Sequence, residues 1–158
     1  MVFLASKFLR SKKSKGKVWS CGVVLTELNT QREVPDAIGF NSGQSHLIEC
    51  KVSRADFLAD KRKDFRKNPE KGMGDFRYYM CPAGMIVKSE LPLGWGLIYV
   101  FGERQLERGT RLHVRPERQT EVNKTAEWHM MYSALRRLEI RDRIKEIYEP
   151  FGKDGRLY

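Results

Sequence analysis

Short apolar runs follow one another through the first hundred residues, and a helical spacing replaces them near the end. Val23 to Leu28 is β-branched and apolar, Asn29 to Arg32 supply a turn, and Val34 to Phe40 and His46 to Val52 flank the turn-forming cluster Asn41-Ser42-Gly43-Gln44-Ser45. This pattern predicts a three-stranded antiparallel meander. Ser53 then caps a helix with Asp56 at its third position and Phe57, Leu58 and Phe65 on its apolar side, stopping near Asn68-Pro69. Gly72 and Gly74 lead into an aromatic strand, Phe76 to Cys81, ended by Pro82. The crossing from the meander to this strand is long enough for a parallel, right-handed return.

Gly84 to Gly96 reads as a loop, Leu97 to Phe101 as a further strand with Trp95 packed at its start, and Leu112 to Val114 as a short strand in a weakly patterned stretch. From Thr125 to Tyr148, the spacing of Trp128, Met131, Leu135, Leu138, Ile144, Ile147 and Tyr148 predicts a long amphipathic helix covering the sheet. The fold class that follows is α/β, a mixed central sheet flanked by helices. The organisation is a single domain: a basic N-terminal arm or helix over residues 1–20, a core over 21–124, and a C-terminal helix and tail over 125–158.

At 158 residues with 41% hydrophobic content, the chain can bury one core. Charge changes the picture more. Thirty Lys and Arg against 20 Asp and Glu leave +10, which favours an anionic partner, nucleic acid first. Residues 1–20 carry Lys7, Arg10, Lys12, Lys13, Lys15 and Lys17 with no acid. They read as an arm that tracks a phosphate backbone or as a solubilising terminus. A second basic run, Arg54, Lys61, Arg62 and Lys63, lies on the predicted helix after the meander, interspersed with Asp56, Asp60 and Asp64. A third, from Arg136 to Lys145, lies on the last helix. Cys21, Cys50 and Cys81 lack the close pairs of a zinc site and read as reduced, buried thiols. With no apolar run of membrane-spanning length and no secretory h-region, the expectation is an intracellular, cytoplasmic protein of bacterial or phage-like type.

The candidate chemistry sits in the hairpin. Side chains alternate along a strand, so Asp36 shares a face with Ile38 and Phe40, while Glu49 and Lys51 share one with Leu47. If Asn41 to Gln44 form a four-residue loop, Phe40 lies opposite Ser45 and Asp36 opposite Glu49. Opposed carboxylates on a sheet repel, and a hard divalent cation compensates them best. Lys51 projects beside them, where it can serve an attacking water or a charged phosphate. Glu27, from the first strand, is either a third acidic ligand or a rim carboxylate.

Pro35-Asp36 followed by Glu49-Cys50-Lys51 resembles the signature of the PD-(D/E)xK nuclease superfamily. With PDAIGF, HLIECKVSRADFLADKRK, the aromatic strand ending in Pro82, and LPLGWGLIYV, the stretch from about Gly22 to Phe101 looks like the small stand-alone MmcB-like proteins associated with DNA repair. The longer, glycine-rich stretch Lys67 to Gly74 departs from that group. The resemblance implies a restriction-endonuclease-like core and a DNA-cleaving hydrolase. Asp36 and Glu49 would ligate magnesium, or manganese in its place, with the Cys50 carbonyl. Lys51 would serve the water and Glu27 would be an accessory acid. The competing readings are a catalytically silent nuclease-like module that holds DNA or a protein, and a metal-free RNA-binding protein that has no use for the carboxylate pair.

Overall fold

The computed structural model describes residues 1–11, 20–30, 33–102 and 109–148. Its centre is a six-stranded mixed sheet whose spatial order follows the chain: β1 (Val23–Thr26), β2 (Ala37–Asn41), β3 (Gln44–Cys50), β4 (Phe76–Pro82), β5 (Gly96–Phe101) and β6 (Gly109–Val114). The first three strands form the expected antiparallel meander, β3, β4 and β5 run parallel, and β6 returns antiparallel. The β2–β3 turn is tighter than the four-residue loop expected. Asn41 pairs with Gln44, so only Ser42 and Gly43 turn the chain, and Gly43 takes φ 80°, which a side chain would strain. The register is nevertheless the expected one, because Phe40 still faces Ser45.

Both faces of the central strands are covered, so β3 and β4 are buried almost throughout. On one face lies α1 (Val2–Arg10), which packs Leu4, Ala5, Phe8 and Leu9 against Val24, Ala37, Ile48, Tyr78 and Ile98. Of the arm or helix expected over residues 1–20, residues 2–10 are a helix, and its apolar side is packed on the sheet instead of tracking a phosphate backbone. Apolar residues at i, i+1, i+4 and i+5 form one helical stripe, and burying Phe8 and Leu9 alone is worth roughly 1.5–3 kcal/mol each. Arg10 turns back to donate to the Val24 carbonyl, 3.1 Å away. Lys12 and Lys13 lie outside the described residues.

The other face gathers Ile38, Leu47, Phe57, Met73, Tyr79, Ile86, Trp95, Leu97 and Tyr99 under the segment that links β3 to β4. That segment is two helices rather than the single one expected, α2 (Arg54–Asp60) and the four-residue α3 (Asp64–Lys67), broken at Lys61 to Lys63. Ser53 caps α2 as expected, accepting from the Asp56 N–H at 3.2 Å. The last helix, α4 (Lys124–Ile140), does not cover the sheet along its length. Only Ala126, Glu127 and Met130 are buried, while Trp128, Met131, Tyr132 and Leu135 stay exposed. All three cysteines are free and buried, and among the described residues no helix is long and apolar enough to cross a membrane.

Candidate active site

Three strand ends meet at one end of the sheet: the end of β1 with Glu27, the start of β2 with Asp36, and the end of β3 with Glu49, Cys50 and Lys51. Ala37 pairs with Ile48, so one further step places Asp36 across from Glu49. Here the backbone ladder gives way to a side chain. The Cys50 N–H donates to Asp36 Oδ2 at 2.6 Å, and the next N–H, of Lys51, donates to the Met80 carbonyl at 2.8 Å. Asp36 is thereby fixed, half-buried, beside the Glu49-Cys50-Lys51 backbone.

Because Ile48 and Cys50 point into the α1 face, Glu49 and Lys51 point into the other, beneath α2 and α3. Both are buried. Lys51 Nζ lies 3.2 Å from Glu49 Oε2, 3.3 Å from Asp60 Oδ1 and 3.9 Å from Asp56 Oδ1, and above the Tyr79 ring. Glu49 Oε1 receives Arg66, 2.8 Å away. The same guanidinium donates from Nε to Asp60 Oδ2 at 2.8 Å and pairs with Glu33, whose other oxygen accepts the Met73 N–H at 2.6 Å. The Tyr79 hydroxyl donates to Asp60 at 2.8 Å, and Lys63 reaches Asp60 Oδ1 from the surface at 2.7 Å. A cleft of about 430 Å³, lined in part by Glu33, Lys63, Phe65, Asn123 and Ala126, opens at the far end of this network.

The charges are unevenly settled. Burial pushes the Glu49 carboxyl up to about 7, against the pull of Arg66 and Lys51 and with the help of Asp60 and Asp36. For Asp60 burial also pushes upward, but Arg66, Lys63 and Lys51 outweigh it and hold the carboxyl well below the usual range. Burial works against the Lys51 ammonium, yet Glu49, Asp60 and Asp56 prevail and strengthen its hold on the proton.

Of the residues singled out in the sequence, Asp36, Glu49, Cys50 and Lys51 come together. Glu27 sits at the same end but is exposed, and its φ of 49° breaks the alternation that would have put its side chain on the Asp36 face. Its N–H donates to the Pro35 and Asp36 carbonyls, so its clear role is to join β1 to β2. Among the basic residues, Arg54 is committed to Glu90 and the Met85 carbonyl, Lys61 to the Glu90 carbonyl, and Lys63 to Asp60. The Arg62 side chain is exposed and has no partner among the described residues.

Sequence reasoning missed Glu33, Arg66 and the inward turn of Asp60. Asp56 and Asp60, four apart on one short helix beside Phe57, were a faint signal that this acidic row faces inward. Nothing local announced Arg66, whose partners lie 6, 17 and 33 residues away.

The arrangement does not form a seat for a divalent ion. Each Glu49 oxygen faces a cation, one Asp36 oxygen is taken by a backbone N–H, and among the described residues no group of three or more His, Cys, Asp or Glu side chains could hold a metal. No family model matches the chain, and no curated protein matches it. Among solved structures it is similar to a protein of unknown function from Silicibacter pomeroyi, at 23% identity and a TM-score of 0.52, over 82% of this chain and 82% of that one. At that identity the likeness is one of fold alone, and it supports a mixed α/β fold in which a six-stranded sheet is flanked by helices.

Proposed function

We propose that the protein is a nuclease of the PD-(D/E)xK type, with a restriction-endonuclease-like sheet, that hydrolyses phosphodiester bonds in DNA during repair, recombination, or phage or defence DNA processing. The observation that carries this reading is the register. It sets Asp36 across from Glu49 and leaves the Lys51 ammonium 3.2 Å from Glu49, so two acids and a lysine of the signature converge at one end of the sheet. With its proton held firmly by three acids, Lys51 suits the stabilisation of negative charge developing on a phosphate better than the removal of a proton from water. Asp36 and Glu49 supply the acidic pair of the signature, and the magnesium, or manganese in its place, that the resemblance implies would meet Glu49 oxygens that already face Lys51 and Arg66.

A second reading, a nuclease-like module that binds DNA without cutting it, is favoured by the Arg66 guanidinium, which already supplies the charge that Glu49 needs. One assay separates the two. Labelled single-stranded, duplex, nicked and flapped DNA is incubated with magnesium, manganese or chelator and either the wild type or Lys51→Ala. The nuclease reading expects metal-dependent products from the wild type and a loss of two orders of magnitude or more, about the size of a missing electrostatic contact, in the variant. Salt-dependent binding by both proteins with no product from either would move the assignment to the binding module.

A further inference from the structure

We infer that the cleft between the Lys88 to Trp95 segment and the end of β6 seats a nucleotide of single-stranded DNA, its phosphate held by Lys88 and Arg115 and its base laid against Leu93. The inference rests on the reading of DNA as the ligand, and not on cleavage. The cleft measures about 480 Å3 and is lined by Lys88, Leu93, Trp95, His113 and Arg115, with Glu117 as the acid among them. That is the size of a site for one small ligand. Cations beside apolar surface match what a nucleotide offers, a charged phosphate beside a flat base. In a duplex the base faces are already stacked on one another, so the apolar wall would gain nothing from them, whereas a single strand leaves them open. Leu93, at the wall, is 91% exposed. The Lys88 side chain has no ion pair or hydrogen bond among the described residues, unlike Arg54, Lys61 and Lys63 on the segment after β3.

The walls are fixed before any ligand arrives. Lys88 opens a 3-10 turn, Lys88–Glu90, in which the Glu90 carboxylate accepts from Arg54 at 2.8 Å and from the Val87 N–H at 3.0 Å. Leu93 rides on a turn closed by the Trp95 N–H on the Pro92 carbonyl at 3.1 Å, and the Glu117 N–H ties the chain leaving β6 to the Gly94 carbonyl at 2.9 Å. His113 stacks on Tyr99 with ring centres 4.4 Å apart. Such preorganisation spares the ligand the cost of ordering its site. Trp95 also joins the cleft to the carboxylate cluster. Its ring stacks on Tyr79, 4.6 Å between centres, and lies 4.9 Å from the Arg66 guanidinium that pairs with Glu49. One indole ring therefore separates a strand in the cleft from that cluster.

The test is fluorescence anisotropy in chelator, so that nothing is cut, with a labelled oligothymidylate, an abasic strand of the same length and a hairpin duplex. The wild type should bind the oligothymidylate at least about tenfold more tightly than the other two, the worth of one stacked base. Lys88→Glu should weaken that binding about tenfold, and Lys88→Ala should lower its salt slope by about one, with the melting temperature of both variants in place. Leu93→Ser should weaken the oligothymidylate several-fold and leave the abasic strand unaffected, and Glu117→Gln, which removes an acid from the lining, should tighten both. The inference is overturned if Lys88→Glu binds the oligothymidylate as the wild type does, or if the wild type binds it no better than the abasic strand. Displacement by polyglutamate as readily as by unlabelled oligothymidylate overturns it too, because the cleft would then read charge alone, and so does a wild type that binds no single strand. Adding magnesium separates this outcome from the nuclease reading. A wild type that never cuts yet shows the Lys88 and Leu93 effects retires that reading and keeps this one, whereas a wild type that cuts while Lys88→Glu binds the strand unchanged does the reverse.

Discussion

His46, buried near the start of β3, stacks on Phe76 with ring centres 4.9 Å apart, and its Nδ1 lies 3.4 Å from the Tyr78 hydroxyl. Burial lowers its pKa from 6.5 to about 4, with Asp75 pulling weakly the other way. In the unfolded chain the ring takes up a proton at higher pH than in the folded one. Its contribution is therefore fully present above about pH 6.5 and is lost as the pH falls toward 4, a change worth roughly 3 kcal/mol. Glu49 acts with the opposite sign. Its raised carboxyl favours the folded state at low pH, and that contribution fades as the pH rises from about 4.5 to 7. The two partly cancel in the wild type, so the informative quantity is a difference. Between pH 7 and 5 the melting temperature of the wild type should fall further, or rise less, than that of His46→Phe; parallel curves would show that the ring does not titrate as its burial requires.

α4 is buried at one end only, and near the other Arg137 donates to the Asn29 carbonyl at 3.4 Å. Asn123 caps it by accepting from the Ala126 N–H at 2.9 Å, and Glu127 Oε1 accepts from the Gly74 N–H at 2.8 Å and the Ser45 hydroxyl at 2.7 Å. Gly74 has φ 90°, and a Cβ there would lie 2.7 Å from the Leu47 side chain, so only glycine brings that N–H so close to β3. Past Met130 nothing on the helix is buried, and Trp128 and Tyr132, more than half exposed, stack on each other. Glu127→Ala should therefore destabilise by about 2 kcal/mol, the cost of leaving buried donors unmet, whereas Trp128→Ser should stay within about 0.5 kcal/mol, both by urea unfolding. The sequence suggested the reverse weighting, because Trp128, Met131, Leu135 and Leu138 trace an apolar stripe. Periodicity reveals that a face exists, not what lies against it. Glu127 is polar and its partners are 53 and 82 residues away, and Arg66 and Glu33 are hidden in the same way. What could be read ahead was local: a turn within Asn41 to Ser45, though not its two-residue length, the Ser53 cap, and the register that places Asp36 opposite Glu49.

At the scale of the whole molecule, the surplus of ten positive charges is a field before it is a set of contacts, and the fold decides which cations remain free to project it. Arg54, Lys61, Lys63 and Arg66 all sit on the segment between β3 and β4, yet each is held by an acid or a carbonyl of the same chain. Arg62, between two of them, points to solvent without a partner among the described residues. If DNA is the ligand, its affinity should fall linearly with salt on logarithmic axes, with a slope set by the number of phosphates neutralised. Arg62→Ala should then weaken binding evenly across sequences and lower that slope by about one, while leaving the melting temperature in place. Lys63→Ala should do the opposite. It removes a charge already engaged by Asp60, so the slope should change little and the melting temperature should drop. The pair can be read from fluorescence anisotropy over a salt series together with thermal melts. An affinity indifferent to salt in the wild type would remove the electrostatic basis for a nucleic-acid partner. Equal slopes for the two variants would mean that DNA meets the protein on another face.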